Sequence, residues 1–208
     1  MQSRYRVAGL WLEWLLIFIT LPLVIFLEVI PVSKLIWLIV VLIYTSAQYL
    51  KSRPVIAGYS ADFSGGRLAL RMFIICIGLF GLAYLVDPAQ FLLLPRQQPL
   101  LWILISLLYP LVSALPQEFV YRRFYFWRYQ ALFKQDRGLL LSSMLLFSFL
   151  HIVYDNTLAV LLTLAGGYLF ASSYARTRSL FLPWLEHAVY GVVIFTSGLG
   201  RFFYEPMY

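Results

Sequence analysis

Long apolar stretches alternate with short polar connections along the whole chain. Each stretch is bounded by charged residues or by proline and glycine, and several approach or exceed the roughly 18 residues that an α-helix needs to cross a bilayer core. The pattern predicts seven membrane-spanning helices, at residues 8–27, 32–50, 68–86, 99–116, 139–155, 157–175 and 180–200. The fourth helix is expected to continue through LPQEFVYRRFYFWRYQ (115–130) to about Phe133.

The composition supports a membrane protein of helices. Of the 208 residues, 62% are hydrophobic and 12% are charged, and the mean hydropathy is +0.82. The short alternating segments of a transmembrane barrel are not seen, and a helix satisfies its own backbone hydrogen bonds in lipid. We predict an all-α, polytopic transmembrane helix bundle, a single membrane domain in which residues 1–98 hold about three N-terminal helices and residues 99–208 hold the rest.

The basic residues predict the orientation of the bundle. A net charge of +7 is also typical of nucleic-acid binding, but these residues lie between apolar stretches, where they mark the cytoplasmic side. With the N-terminus inside, twelve fall on inner segments and three on outer ones, so we predict an N-inside, C-outside bundle. The inner set is Arg4, Arg6, Lys51, Arg53, Arg67, Arg122, Arg123, Arg128, Lys134, Arg137, Arg176 and Arg178, and the outer set is Lys34, Arg96 and Arg201.

Three smaller features limit the other options. The segment RPVIAGYSADFSGGR (53–67) is the longest polar connection and contains three glycines, which predicts a loop. Cys76 is the only cysteine, which excludes an intrachain disulfide and a structural zinc site of several cysteines. The first apolar stretch is too long for the core of a signal peptide, and we expect it to remain as an anchor.

Ionisable residues inside the predicted spans are the candidates for function, because they are costly at membrane depth. They are Glu13, Arg71, Glu118, Arg122, His151, Glu186 and His187. If FKQDRG (133–138) is the inner end of a hairpin, Glu118 and His151 both lie roughly 20–23 Å along their helices at 1.5 Å per residue. His187 lies roughly 13 Å along a helix that starts on the same side. Three helices can therefore bring Glu118, His151 and His187 to one buried site.

Spacing within each helix adds companions to these three residues. Residues four apart share a face, which pairs Glu118 with Arg122, Phe147 with His151, and His187 with Gly191. A carboxylate beside a histidine can activate water as a general acid–base pair, and a second histidine can donate a hydrogen bond to an oxyanion.

Each of these residues also has a simpler structural interpretation. Glu118 and Arg122 can form an ion pair that only holds helices together, His151 can be an interfacial residue near a helix end, and His187 can pair locally with Glu186. The basic and aromatic run from Arg122 to Arg137 is typical of an inner membrane interface with its aromatic belt. Glu13 and Arg71 have no motif around them.

The motifs QEFVYR, FSFLH and HAVYG occur in this order, with His151 33 residues after Glu118. Together they resemble the signature of the CPBP intramembrane proteases, the CAAX prenyl endopeptidase and bacteriocin-processing family also called Abi, whose motifs read EExxxR, FxxxH and HxxxN or a variant. The resemblance covers about residues 99–200. It implies a membrane helix bundle with a CPBP-like catalytic core, and a peptidase that hydrolyses peptide bonds of membrane-associated substrates with activated water.

Carried over by motif, the resemblance assigns Glu118 to the second Glu of the first motif and Arg122 to its Arg. Phe147 and His151 match the second motif, and His187 matches the histidine of the third. We expect Glu118 and His151 to activate water, His187 to stabilise the oxyanion and Arg122 to orient Glu118. Glu118, His151 and His187 are also the candidate ligands of a zinc ion, so a zinc mechanism and a metal-free glutamate mechanism both stay open.

Two positions depart from the motifs. Gln117 stands where the family has the Glu that is commonly given the water-activating role, and an amide does not accept a proton at neutral pH. Gly191 stands where an Asn often assists the oxyanion. Besides a protease, the sequence therefore allows a CPBP-like membrane scaffold or partner-binding protein that has lost its chemistry. An ion-coupled transporter that uses the same buried residues is a third option.

The same resemblance sets the expected surroundings. We expect an integral protein of a bacterial inner (plasma) membrane, with the lipid bilayer and a membrane-associated peptide or protein as its partners and with no nucleic acid. The substrate can be a lipidated C-terminus, a leader peptide or a transmembrane segment. The sequence contains no HExxH and no GxSxG, which excludes two other hydrolase motifs.

Overall fold

A computed structural model describes residues 2–30, 32–54 and 64–204. Within them, six helices are long and apolar enough to cross a membrane: α1 (Val7–Phe26), α2 (Lys34–Ser52), α3 (Gly65–Val86), α4 (Pro99–Leu132), α5 (Asp136–Tyr154) and α6 (Thr157–Thr177). A last long helix, α7 (Phe181–Ser197), has 17 residues. The all-α membrane bundle is confirmed, whereas the seven crossings and the N-inside orientation stay predictions.

The connections are short, and one of them is shorter than the sequence predicts. Residues 53–67 were expected to form a loop, but α3 already begins at Gly65. The Ser64 hydroxyl accepts a hydrogen bond from the Arg67 backbone N–H at 3.4 Å, so this serine caps the helix. Residues 55–63 of the predicted loop lie outside the described residues. Two short helical turns, Pro88–Gln90 and Leu93–Gln97, join α3 to α4.

Aromatic side chains of α4 form the centre of the bundle. Phe124, Tyr125 and Tyr129 have no exposed surface, and neither does Phe18 of α1. The Phe18 ring lies edge-on at 5.1 Å from Tyr125 and 5.7 Å from Tyr129, a geometry that aromatic rings prefer. Neighbouring helices pack over these rings of α4, so they do not form the lipid-facing aromatic belt that the sequence predicted for this segment.

Glu13 gives α1 a polar attachment to the end of α4. Its carboxylate accepts hydrogen bonds from Arg128 Nε at 3.0 Å, from Arg128 Nη2 at 2.6 Å and from the Tyr129 hydroxyl at 2.9 Å. The Trp14 indole N–H donates to the Tyr125 hydroxyl at 2.8 Å. A two-pronged arginine–carboxylate contact fixes orientation as well as distance. Glu13, which had no motif around it, thus joins the N-terminal helix to the core.

A second buried polar cluster joins α3, α6 and α7. Arg71 of α3 pairs with Glu186 of α7, and its Nη2 also donates to the Ser173 hydroxyl at 3.0 Å. Ser173 in turn donates to Glu186. Because Glu186 is held in this way, it does not form the local pair with its neighbour His187 that the sequence also allowed.

Candidate active site

Glu118 lies in the middle of α4, between two π-helical turns. These turns span Pro110–Ala114 and Phe119–Phe124. Pro110 lacks a backbone N–H and interrupts the regular hydrogen bonding, while its carbonyl accepts a hydrogen bond from the Trp184 indole of α7 at 2.7 Å. π-turns inside α-helices are frequent at functional sites. Glu118 points into the bundle and has no exposed surface.

The Glu118 carboxylate has two charged or titratable neighbours. Its Oε1 lies 2.9 Å from His187 Nδ1 of α7, within hydrogen-bond distance. Its Oε2 lies 3.2 Å from Arg122 Nε, one helical turn away. The Arg122 N–H is not aimed at this oxygen, so the second contact is an ion pair rather than a hydrogen bond. Glu118 therefore connects α4 to α7 through a histidine.

Arg122 is completely buried and ties α4 to the two helices behind it. Nη1 donates to the Ser143 hydroxyl of α5 at 2.8 Å, and Nη2 donates to the Gly167 carbonyl of α6 at 3.4 Å. The guanidinium also lies 5.0 Å from the centre of the Phe147 ring. A buried charge needs such partners, and Arg122 has them on three sides. It is placed to hold Glu118 in position.

His187 is held in a slot of aromatic rings. Its imidazole stacks on Phe170 at 4.8 Å with an angle of 15° between the planes, and the Phe147 and Tyr109 rings meet it edge-on at 5.4 Å and 5.9 Å. Only 6% of its surface is exposed. Nδ1 faces the Glu118 carboxylate, and a carboxylate accepts hydrogen bonds. In the neutral ring, Nδ1 is therefore the nitrogen that carries the proton. Nε2 is then an acceptor.

His151 lies in the last turn of α5, within the predicted span 139–155. The α-helical part ends at Leu150, and His151–Tyr154 form a 3₁₀ turn. His151 Nδ1 donates to the Phe147 carbonyl at 2.7 Å, and the residue is 6% exposed. Since a carbonyl only accepts, Nδ1 carries the proton, and Nε2 of the neutral ring is again an acceptor. A position near a helix end agrees with the interfacial interpretation of His151. The burial of the side chain does not agree with it.

Two apolar cavities meet at these residues. The larger, of about 440 Å³, lies among α3 to α7, and the smaller, of about 190 Å³, lies between α1, α2, α4 and the end of α5. His187 lines the larger cavity, and His151 and Gln117 line both. Glu118 lines neither, in keeping with its complete burial. The cavity wall therefore presents His151 and His187, and the Glu118 carboxylate lies behind His187.

Gln117 is the residue of the QE pair that faces the cavities. Its Nε2 donates to the Ser113 hydroxyl at 2.8 Å, and its Oε1 is buried without a donor among the described residues. The position where the family motif has its first Glu is thus at the cavity wall, and in this chain it carries an amide. The direct partner of Glu118 is His187, whereas the sequence paired Glu118 with His151.

The described residues do not fit the zinc site that the sequence left open. Three His, Cys, Asp or Glu side chains close enough to share a metal ion are not found in the described part of the chain. Glu118 Oε1 and His187 Nδ1 already face each other at 2.9 Å, and His151 Nδ1 is bonded to a backbone carbonyl.

Tyr109 is a polar residue of the larger cavity that the sequence analysis missed. It lies on α4, nine residues before Glu118 and outside all three motifs. Its ring lies against Gly191 and His187 of α7. The only signal for it in the sequence is indirect, because Gly191 leaves room where the third motif often has a larger side chain.

Comparisons with known proteins agree with the motifs. Residues 98–193 match the family model described as Type II CAAX prenyl endopeptidase Rce1-like. This segment contains Glu118, His151 and His187, and the match confirms the resemblance seen in the sequence. Neither the curated proteins nor the solved structures gave a match to the chain.

Proposed function

We propose that this protein is an intramembrane endopeptidase whose working residues are Glu118, His187 and His151, since residues 98–193 match a family model of membrane CAAX proteases. The observation that carries the proposal is the buried contact between Glu118 and His187 at the wall of an apolar cavity. A carboxylate that holds one nitrogen of an imidazole leaves the other nitrogen correctly oriented as a base. His187 Nε2 is that nitrogen.

The proposed reaction uses both histidines on one water molecule. His187 Nε2 accepts a proton while the water oxygen attacks the carbonyl carbon of the peptide bond, and His151 Nε2 orients the water by accepting a hydrogen bond from its other hydrogen. The tetrahedral intermediate then breaks its C–N bond, and the leaving nitrogen takes the proton from His187. The products are a carboxyl end and an amine. Glu118 stabilises the imidazolium that forms, and Arg122 holds Glu118 in place.

The proposed substrate is a peptide that carries a lipid on a cysteine close to its C-terminus, with further residues after that cysteine. Support comes from the family description, which names a prenyl endopeptidase, and from the apolar lining of the larger cavity. Leu79, Leu82 and Ile194 lie on that lining, in the same cavity as the two histidines. An isoprenoid chain is a ligand of this chemistry, because it buries apolar surface without needing hydrogen bonds.

The first test is hydrolysis of a defined peptide with and without metal. We expect the purified protein in detergent to cleave an internally quenched, farnesylated CAAX peptide at an internal bond, with the fragments identified by mass spectrometry. Because no three His, Cys, Asp or Glu side chains in residues 2–30, 32–54 and 64–204 lie close enough to share a metal ion, kcat is expected to be unchanged after treatment with 1,10-phenanthroline. Loss of activity that zinc restores would contradict the metal-free mechanism, while the absence of cleavage would contradict the proposed function.

Gln117 gives a gain-of-function prediction. Gln117→Glu places a carboxylate at the cavity wall beside His151, where it can share in deprotonating water. We expect kcat to rise by about 10²-fold, the lower end of what a general base contributes. Gln97→Glu, which adds the same charge at an exposed position, is the control and should leave kcat unchanged. If the wild type is inactive and Gln117→Glu restores turnover, the scaffold interpretation is supported instead.

A further inference from the structure

Gly191 of α7 is in direct contact with the side chain of Tyr109. A Cβ atom at position 191 would overlap the edge of the Tyr109 ring and lie 2.5 Å from its hydroxyl oxygen. The phenol therefore occupies the space into which a side chain at position 191 would project. A glycine is required here because only a residue without Cβ lets the ring approach α7 so closely.

This contact places the Tyr109 hydroxyl on the reacting face of α7. Residues 187 and 191 are one helical turn apart and share a face. The Tyr109 ring meets the His187 ring edge-on at 5.9 Å, and both residues line the larger cavity, together with Gly191. The hydroxyl therefore lies against the position of α7 that is one helical turn after His187.

We propose that the Tyr109 hydroxyl donates a hydrogen bond to the carbonyl oxygen of the scissile peptide, in the place left open by Gly191. The inference rests on the proposed function. As water adds to the carbonyl carbon and its proton passes to His187, the C=O electron pair moves onto oxygen and gives an oxyanion. Tyr109 stabilises that oxyanion through its O–H and keeps its own proton. When the C–N bond breaks, the pair returns to C=O and the hydrogen bond weakens.

A donor that acts mainly on the transition state affects kcat rather than KM. Tyr109→Phe keeps the ring, and with it the packing against Gly191 and His187, and removes one oxygen atom. On the farnesylated CAAX peptide we expect kcat to fall by about 10²–10³-fold with KM unchanged, as for other single oxyanion donors. Tyr168→Phe is the matched control, because Tyr168 is 52% exposed on α6 and should keep wild-type kcat.

Moving the hydrogen-bond donor from position 109 to position 191 tests whether Tyr109 acts as a donor or only as a packing residue. Tyr109→Ala removes ring and hydroxyl together, and Tyr109→Ala/Gly191→Asn then places an amide donor in the emptied space. We expect the double variant to exceed Tyr109→Ala in kcat by about tenfold or more, since an amide N–H also serves as an oxyanion donor. Gly191→Asn alone should lower kcat, because its Cβ displaces the Tyr109 hydroxyl.

The outcomes distinguish the two levels of the proposal. A fall of kcat in Tyr109→Phe at constant KM supports the inference. If the wild type cleaves the peptide and Tyr109→Phe keeps the wild-type kcat, or changes KM alone, the role of Tyr109 is overturned and the proposed function stands. A wild type that does not cleave the peptide overturns the proposed function and, with it, the role of the hydroxyl.

Discussion

Arg122→Met is expected to lower the free energy of unfolding by about 3–5 kcal/mol, the cost of leaving one member of a buried ion pair without its partner. Arg122 and Glu118 both have no exposed surface, and they lie 3.2 Å apart. Removing the guanidinium also leaves the Ser143 hydroxyl and the Gly167 carbonyl without their arginine hydrogen bonds. Equilibrium unfolding in mixed detergent and SDS micelles measures the change.

A double variant separates this structural effect from catalysis. Glu118→Gln/Arg122→Met removes both charges, so most of the lost stability should return, because replacing a whole buried pair is often nearly neutral. Turnover should stay low, since an amide at position 118 does not stabilise a protonated His187; the asparagine variant of an aspartate–histidine pair loses about 10⁴-fold in kcat.

Arg123→Met is the matched control for this experiment. It makes the same substitution one residue later, where the side chain is partly exposed and packs over the Tyr174 ring at 5.9 Å. A cation–π contact of this kind contributes about 0.5–1 kcal/mol, so a small change is expected. If Arg122→Met is no less stable than Arg123→Met, Glu118 and Arg122 are not the buried charge pair described above.

The helices were predictable from the sequence because a segment that crosses the lipid core must be apolar along its length, and hydropathy measures this property. A long apolar run has few alternatives to a membrane helix, and α4 continues through residues 115–130 as predicted. The start of α3 was misplaced, since one serine can cap a helix earlier than a glycine-rich segment suggests. Neighbouring helices decide whether an aromatic residue faces lipid or protein. The burial of Tyr125 and Tyr129 was therefore not visible in the local sequence.

The sequence was sufficient to identify most residues of the site. It was not sufficient to predict the direction in which each side chain points. Helical spacing paired Glu118 with Arg122, and the depth estimate brought His187 to the same region. The partner of each side chain depends on rotation about the helix axis, and each residue rotates a helix by about 100°. The π-turns on both sides of Glu118 alter that rotation. With this rotation Gln117 faces the cavities and Glu118 lies behind His187. Tyr109 was missed because it lies outside the three motifs.

His187 is the residue on which the proposed chemistry depends most. It alone has a carboxylate on one nitrogen and lines the larger cavity, and Phe170 and Phe147 fix the plane of its ring. His187→Gln keeps an amide N–H for Glu118 and a similar volume, but an amide does not take a proton from water. We therefore expect kcat to fall by about 10³–10⁴-fold, as in other enzymes that lose the base of such a pair.

The same substitution at the second histidine provides the comparison. His151 is equally buried and lines the same cavity, but its Nδ1 is bonded to a neutral carbonyl and not to a carboxylate. In the proposed reaction it orients water and does not carry the proton. An amide can still accept a hydrogen bond, so His151→Gln should lose only about 10–10²-fold in kcat, less than a general base contributes.

The most direct test of the account is the turnover of the farnesylated CAAX peptide by wild type, His187→Gln and His151→Gln, each with its thermal unfolding recorded in the same detergent. The account predicts three proteins with similar unfolding temperatures and the order of kcat wild type, His151→Gln, His187→Gln. A folded His187→Gln variant with the kcat of the wild type, or with a higher kcat than His151→Gln, would contradict the assignment of His187 and Glu118 as the catalytic pair.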